Sequence, residues 1–235
     1  MSRHSLADFV QQTSQKDQQQ GVFELEGHNM LELNLRGQTV YTKVGTMIAY
    51  QGGIKFEREG VLESGLGKAL KRAFTGEGTP LMRVSGMGRV YVADAKKRIS
   101  VLRLETGQSL CVNGNDLLAF ESTVSWDIRM MRKVAGMIAG GLFNVRLEGE
   151  GLVAITSHGA PLTLRVGHNR SVVTDPNATI AWSGNLNPEL KTDITWGSLF
   201  GRGTGEAFQL KFEGEDGFVV VQPYEEVTWQ HQGAR

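Results

Sequence analysis

The stretch LRGQTVYTKVGTMIAY, residues 35–50, carries the pattern that decides the fold. In it an apolar strand reaches a glycine, a second alternating strand follows, and a third apolar strand ends in Ala-aromatic. The same order returns in LETGQSLCVNGNDLLAF, residues 104–120, and more weakly in LRVGHNRSVVTDPNATIAW, residues 164–182. Alternation over short runs bounded by glycine is the signal of a β-strand. The pattern predicts three related segments, with turns at Gly37, Gly107 and Gly167.

A second element recurs between these stretches. It reads VSGMGRVYVAD at 84–94, LEGEGLVAITS at 147–157 and FEGEDGFVVVQ at 212–222. Apolar residues alternate after a glycine in each copy, which again predicts strands. The aligned glycines, expected to form turns, are Gly86, Gly149 and Gly214.

A third element lies between the first two. SGLGKALKRAFTGEG at 64–78 has apolar residues at helical spacing and lysines on the other face. DIRMMRKVAGMIAGGLF at 127–143 occupies the corresponding place in the second segment, and DITWGSLFGRGTGEAF at 193–208 does so in the third. We expect two or three short helices, including one near the N-terminus, where Ser5 and Asp8 form a capping-box pair.

A segment with a single apolar face cannot bury that face alone, whereas three stacked segments supply a continuous core. The sequence therefore predicts an all-β fold of the double-stranded β-helix or β-sandwich-like kind, with about three internal repeats. We expect a short helix and polar linker over residues 1–20 and a single repeated β domain over 21–235. The 30 glycines, against five prolines, suit many tight turns and bulges.

Charge and cysteine content exclude several classes of protein. Lys+Arg and Asp+Glu are both 25, which lacks the basic excess of a general nucleic-acid binder. A single cysteine, Cys111, allows no intramolecular disulfide and fits a reducing compartment, and we interpret it as a small buried hydrophobe. No signal-peptide pattern opens the chain, and the apolar run 134–143 is too short for a membrane helix, so we expect a cytoplasmic protein.

Several stretches resemble one known family. They include VFELEG, MIAYQGGIKFEREG, GLGKALKRAFTGEG, CVNGNDLLAFE, TDPNATIAWSGNL and VVVQPYEEV, which together span nearly the whole chain. The chain is similar to the altered-inheritance-of-mitochondria protein 24 family, a family of unknown function. The resemblance implies a β fold similar to that of the tryptophan RNA-binding attenuation protein. For mitochondrial relatives it implies a link to inner-membrane organisation, and it supplies no catalytic residues.

No pattern in the sequence predicts catalysis. The five histidines form no His-x-His or His-Glu-x-x-His pair, so we expect no metal site and no cofactor. Gly67-Lys68 is followed by Ala69 rather than Ser or Thr and lacks the upstream glycine of a phosphate-binding loop. No Gly-x-Ser-x-Gly elbow is present, and the carboxylate pairs fall in turns. We therefore expect a protein that is not an enzyme.

The basic and apolar insertions are the best candidates for a functional surface. Such residues could cap the end of the β core, form an interface with another subunit or partner, or meet an anionic membrane. The candidate surface comprises Lys68, Leu70, Lys71, Arg72, Phe74, Arg129, Arg132, Lys133, Met137 and Ile138.

Two functional hypotheses follow from these residues. The first is a non-enzymatic scaffold or assembly protein that self-associates and lies at the periphery of anionic membranes. The second is a ligand-binding module for a small molecule or RNA that uses a groove of the β domain. The aromatic residues at the segment ends, Tyr50, Phe120 and Trp182, are compatible with a stacking surface, but we interpret them as core residues because each ends an apolar strand. Nucleic acid is accordingly not an expected partner.

Overall fold

The computed structural model describes residues 5–16, 21–58, 81–130, 143–191 and 209–224. These residues form one helix, α1 (Leu6–Thr13), and sixteen strands in antiparallel pairs. The strands are β1 (Phe23–Leu25), β2 (Leu31–Lys43), β3 (Met47–Arg58), β4 (Leu81–Val92), β5 (Arg98–Leu104), β6 (Ser109–Asn113), β7 (Leu117–Glu121), β8 (Ser125–Met130), β9 (Phe143–Glu148), β10 (Gly151–Ser157), β11 (Leu162–Gly167), β12 (Val172–Thr174), β13 (Thr179–Ser183), β14 (Glu189–Lys191), β15 (Gln209–Phe212) and β16 (Asp216–Val221). The prediction of an all-β, sandwich-like fold is confirmed.

Three sheets hold these strands. The first runs β3-β4-β2-β7-β10-β5, with β1 on the side of β2. The second runs β11-β16-β13-β6-β9-β8, and the third runs β12-β15-β14. Strands of the second and third sequence segments are therefore shared between neighbouring sheets rather than confined to one.

The second and third segments pair their strands in the same way. In the second, β10 lies between β5 and β7, and β9 lies between β6 and β8. In the third, β16 lies between β11 and β13, and β15 lies between β12 and β14. Each of these two segments thus consists of two groups of three strands, which we call half-sheets. The two half-sheets of a segment belong to different sheets and are connected by the chain.

The first segment makes the corresponding pairs with three long strands. Residues 31–36 of β2 pair with 87–92 of β4, and residues 39–43 pair with 81–85. Strand β3 follows β4 along its full length, from Met47 opposite Val92 to Arg58 opposite Met82. The half-sheets of this segment are consequently continuous with one another.

The glycines expected to form turns also differ between the first and second segments. Gly107 and Gly149 lie in turns, with φ of 83° and 115°. Gly37 and Gly86 instead lie inside β2 and β4, so the expectation of turns there is wrong. The pairing of β2 with β4 shifts register beside Gly37, which makes this position a bulge that bends a continuous strand.

One row of directly opposite residues recurs in the core of each segment. Val90 lies opposite Leu33 on one side and Tyr50 on the other. Val153 lies likewise between Leu102 and Phe120, and Val219 lies between Leu164 and Trp182. The three valines are fully buried, and each lies on a strand that has a neighbouring strand on both sides.

The N-terminal helix is confirmed. The Ser5 side chain accepts from the backbone N–H of Asp8, and the Asp8 carboxylate accepts from the Ser5 backbone, which completes the capping box. No residue of α1 is buried, and its apolar residues Leu6, Phe9 and Val10 are exposed.

Candidate interaction surface

Most of the surface predicted from the sequence lies outside the described residues. Of its members only Arg129, in β8, is described; its side chain is half-exposed, and its Nε lies 3.6 Å from Oδ2 of Asp127. The other members, which lie outside the described residues, are Lys68, Leu70, Lys71, Arg72, Phe74, Arg132, Lys133, Met137 and Ile138. The role of this surface stays a prediction.

A buried group of charges lies where the first and second segments meet. The Lys97 ammonium lies 3.0 Å from Oδ1 of Asp116, and both side chains are almost completely buried. Lys43 lies 2.9 Å from Oδ2 of Asp94 and donates to the carbonyl of Asn115 at 2.7 Å. Since these residues lie at or directly beside the ends of β2, β4, β5 and β7, the ion pairs tie these strand ends together. Within this group each ammonium lies beside a carboxylate of opposite charge.

A second polar group lies on β1, β2 and β4. Glu32 is fully buried, lies directly opposite Glu24 of β1, and accepts from Nε2 of Gln15 at 2.8 Å. The Arg89 guanidinium lies 3.3 Å from the same carboxylate, and Tyr91 is also hydrogen-bonded to it. Gln15 follows α1 closely, so this contact fixes the N-terminal segment against the sheet.

The environment of this group shifts two pKa values. Burial raises the pKa of the Glu32 carboxyl above its ordinary value, while the hydrogen bond with Tyr91 and the charge of Arg89 oppose the rise. Burial and the hydrogen bond to Glu32 raise the pKa of Tyr91 to about 12. The phenol of Tyr91 therefore stays protonated over the ordinary pH range.

The single cysteine is part of the core. Cys111 lies in β6, is 5% exposed and packs in a cluster with Trp182 and Phe212. Burial raises the pKa of its thiol, which opposes formation of the reactive thiolate. The interpretation of Cys111 as a buried hydrophobe is confirmed.

Histidines and carboxylates do not converge on a metal site within the described ranges. In residues 5–16, 21–58, 81–130, 143–191 and 209–224, no group of three His, Cys, Asp or Glu side chains could hold an ion. The His158 ring packs against Tyr224, with ring centroids 4.3 Å apart.

Four exposed apolar residues lie on the end strand β3 and its neighbour β4. We define the β3 edge surface as Met47, Ile48 and Tyr50 of β3 together with Met87 of β4. Their exposed fractions are 46%, 58%, 50% and 68%. β3 is the end strand of the first sheet and, among the described residues, pairs with β4 alone. An exposed, apolar edge strand is a template for pairing with another chain.

Charge distinguishes this edge from the other sheet ends except β12, whose three residues, VVT, are also uncharged. Residues 47–54 of β3, MIAYQGGI, contain no charged side chain. The end strands β5, β8 and β11 each carry at least one arginine: Arg98 and Arg103, Arg129, and Arg165. Charged side chains on an edge oppose addition of a further strand, and this protection is missing from the first half of β3.

The three aromatic residues at the segment ends differ in environment. Phe120 is fully buried and stacks on Tyr41 with centroids 5.1 Å apart, and Trp182 is 3% exposed. Both were correctly predicted as core residues. Tyr50 occupies the corresponding position in the first segment but is half-exposed, so its prediction as a core residue is wrong. Strands β2 and β6 lie beside the other two aromatic residues, whereas no strand among the described residues lies beside Tyr50 on the side away from β4.

No helix in the described part of the chain is long and apolar enough to cross a membrane. No match was found among curated protein sequences. Among solved structures, the chain is similar to an X-ray crystal structure of a protein from Streptococcus pyogenes, with 20% sequence identity and a TM-score of 0.67. The similarity covers 86% of this chain and 92% of that chain, and at this identity it shows the fold alone. A family model described as Mitochondrial biogenesis AIM24 matches residues 23–224. Since this match spans most of the chain, the protein belongs to the Mitochondrial biogenesis AIM24 family.

Proposed function

We propose that this protein is a non-enzymatic assembly protein that self-associates by adding a strand to the β3 edge surface. The observation that carries the proposal is the exposed, uncharged edge formed by residues 47–54. Strand addition satisfies the open backbone donors and acceptors of an edge, while side chains along it supply specificity. Burial of Ile48, Tyr50 and Met87 would add apolar surface removed from water.

The described charge clusters support a structural rather than a catalytic role. Lys97 with Asp116 and Arg89 with Glu32 are opposite charges within ion-pair distance. The Lys97 ammonium and both carboxylates are deeply buried, and the Arg89 guanidinium is partly buried. The ligand-binding alternative has less support, since Phe120 and Trp182 are inaccessible for stacking with a base or a ring.

Light scattering after gel filtration, at increasing protein concentration, tests self-association. We expect the native chain to form concentration-dependent oligomers and Ile48→Lys to weaken them at least tenfold, because the substitution places a charge on the edge. Leu162→Lys is the matched control: Leu162 is also 58% exposed and lies on the end strand β11. A native chain that stays monomeric at high concentration would overturn the proposal, as would equal effects of the two substitutions.

We also propose that the protein lies at the periphery of anionic membranes, a role with separate support in α1. Leu6, Phe9 and Val10 form an exposed apolar stripe on a helix that packs no residue into the core. A stripe of this kind can lie in the boundary between lipid headgroups and acyl chains. The described helix carries no lysine or arginine, so attraction to anionic lipid would come from the basic segments around Lys71 and Arg132.

Sedimentation with vesicles of phosphatidylcholine and phosphatidylserine tests this part. We expect salt-sensitive binding that Phe9→Gln weakens severalfold, because the substitution removes an apolar group from the stripe. Thr13→Gln, at the exposed end of the same helix, serves as the control. Absence of binding to these vesicles at low salt would exclude a membrane-peripheral role and leave the self-association proposal intact.

A further inference from the structure

The first and second segments are joined by a short strand pair. Tyr41 of β2 lies opposite Phe120 of β7, with Thr42 opposite Ala119 and Val40 opposite Glu121. Just beyond the pair, the backbone N–H of Ser122 donates to the carbonyl of Thr39 at 3.2 Å.

The second and third segments are joined in the same register. Cys111 of β6 lies opposite Trp182 of β13, with Val112 opposite Ala181. The backbone N–H of Gly184 donates to the carbonyl of Ser109 at 2.8 Å, which reproduces the bond at the first junction. At the first junction the buried Phe120 therefore lies beside β2 of the preceding segment. At the second junction the buried Trp182 lies beside β6 of the preceding segment.

Among the described residues, this pairing leaves two strand edges without a counterpart. One is the edge of β3 in the first segment, and the other is the edge of β12 in the third. Within the described ranges β3 pairs only with β4, and β12 pairs only with β15. The two residues that would meet by the same register are Tyr50 and Val173, and both are exposed, at 50% and 42%.

The half-sheet β12-β15-β14 resembles the half-sheet β6-β9-β8, whose strand β6 pairs with β13 at the second junction. Cys111 lies opposite Arg146 of β9, whose guanidinium is paired with Glu148 two residues on. Val173 lies opposite Lys211 of β15, which is paired with Glu213, also two residues on. At the existing junction Arg146 also donates to the carbonyl of Gly184 at 2.8 Å, so this basic position contacts the incoming segment.

From these observations we propose that β3 of one copy pairs antiparallel with β12 of a second copy, with Tyr50 opposite Val173. This inference rests on the proposed self-association and names its counterpart surface. The contact joins β3 of the first sheet of one copy to β12 of the third sheet of the other. The strand order across it, β2-β4-β3-β12-β15-β14, corresponds to the order β11-β16-β13-β6-β9-β8 of the second sheet within one chain. Because the two surfaces differ, the contact is head-to-tail, and each dimer retains one free edge of each kind.

Two variants, each with one of the two strand edges blocked, test whether β12 is the counterpart of β3. Tyr50→Lys blocks only the β3 edge, and Val173→Lys blocks only the β12 edge; both positions are exposed, so each variant should fold. We expect each variant to be monomeric by light scattering and a one-to-one mixture to form dimers that grow no further. The control Leu162→Lys should assemble as the native chain does.

Each outcome separates the two proposals. If Tyr50→Lys abolishes assembly while Val173→Lys leaves it unchanged, the β12 counterpart is wrong and the β3 interface stands. If the native chain does not assemble at all, both proposals fall.

A cysteine pair distinguishes contact between copies from closure within one chain. In the variant with Tyr50→Cys and Val173→Cys, directly opposite residues of an antiparallel pair are close enough for a disulfide. We expect oxidation to give covalent dimers and larger species on a non-reducing gel, and the buried Cys111 should not react. A cross-linked product of single-chain mass would overturn the inference, because it would place β3 against β12 of the same molecule.

Discussion

Replacement of Lys97 by methionine tests whether the buried ion pairs hold the first and second segments together. The Lys97 ammonium lies 3.0 Å from Asp116, and the exposed fractions of the two side chains are 5% and 0%. It also lies 3.3 Å from the carbonyl of Asn115. Methionine keeps most of the apolar stem but removes the charge, so the Asp116 carboxylate stays buried without this cation. Breaking a buried pair in this way costs about 3–5 kcal/mol of unfolding free energy.

Urea denaturation followed by tryptophan fluorescence measures the loss directly. Arg103→Met is the matched control, because its ion pair with Glu150 has a similar distance, 3.2 Å, but more than half of each side chain is exposed. We expect that substitution to cost less than about 1 kcal/mol. The double variant of Lys97→Met and Asp116→Asn should recover part of the loss, since no buried charge is left unpaired. A loss below about 1 kcal/mol for Lys97→Met, or no recovery in the double variant, would refute the reasoning.

Phe120→Ala should destabilise the chain by about 3–5 kcal/mol in urea denaturation, whereas Tyr50→Ala in the monomer should cost far less, because only Phe120 is fully buried. Similar losses at the two positions would contradict the assignment of Tyr50 to an open edge. Gly86→Ala should lower the melting temperature strongly, since φ is +121° and a Cβ would lie 2.1 Å from the carbonyl oxygen of Gly53; Gly53→Ala, where a Cβ meets nothing within 4 Å, should be nearly neutral. Tyr91 should ionise near pH 12 in an ultraviolet titration of the folded chain, and its raised pKa means that stability falls as pH rises from 10.0 towards 12. A titration of Tyr91→Phe that keeps this late transition would assign it to another tyrosine.

Local sequence pattern predicted the strands and much of the core. Alternation around Phe120 and Trp182 placed both in buried strands, and the capping box at Ser5 predicted α1. The buried charges were not predicted, since a carboxylate such as Asp116 lies in a turn-like run and looks solvated. Glu32 alternates with two leucines, a pattern that places it on the solvent face, so the sequence carried no signal of its burial. Alternation alone does not show that both faces of this strand are covered.

The sequence by itself determined which residues form strands and placed an aromatic residue at the end of each segment, because periodicity and glycine positions act over a few neighbouring residues. Only the tertiary structure decided which of those aromatics are buried. Phe120 and Trp182 lie beside strands supplied by the preceding segment, whereas Tyr50 has no such strand among the described residues. It also decided that Gly37 bends a continuous strand, while Gly107 lies in a turn. Burial of an edge residue depends on a strand distant in sequence, and no local pattern specifies whether that strand is present.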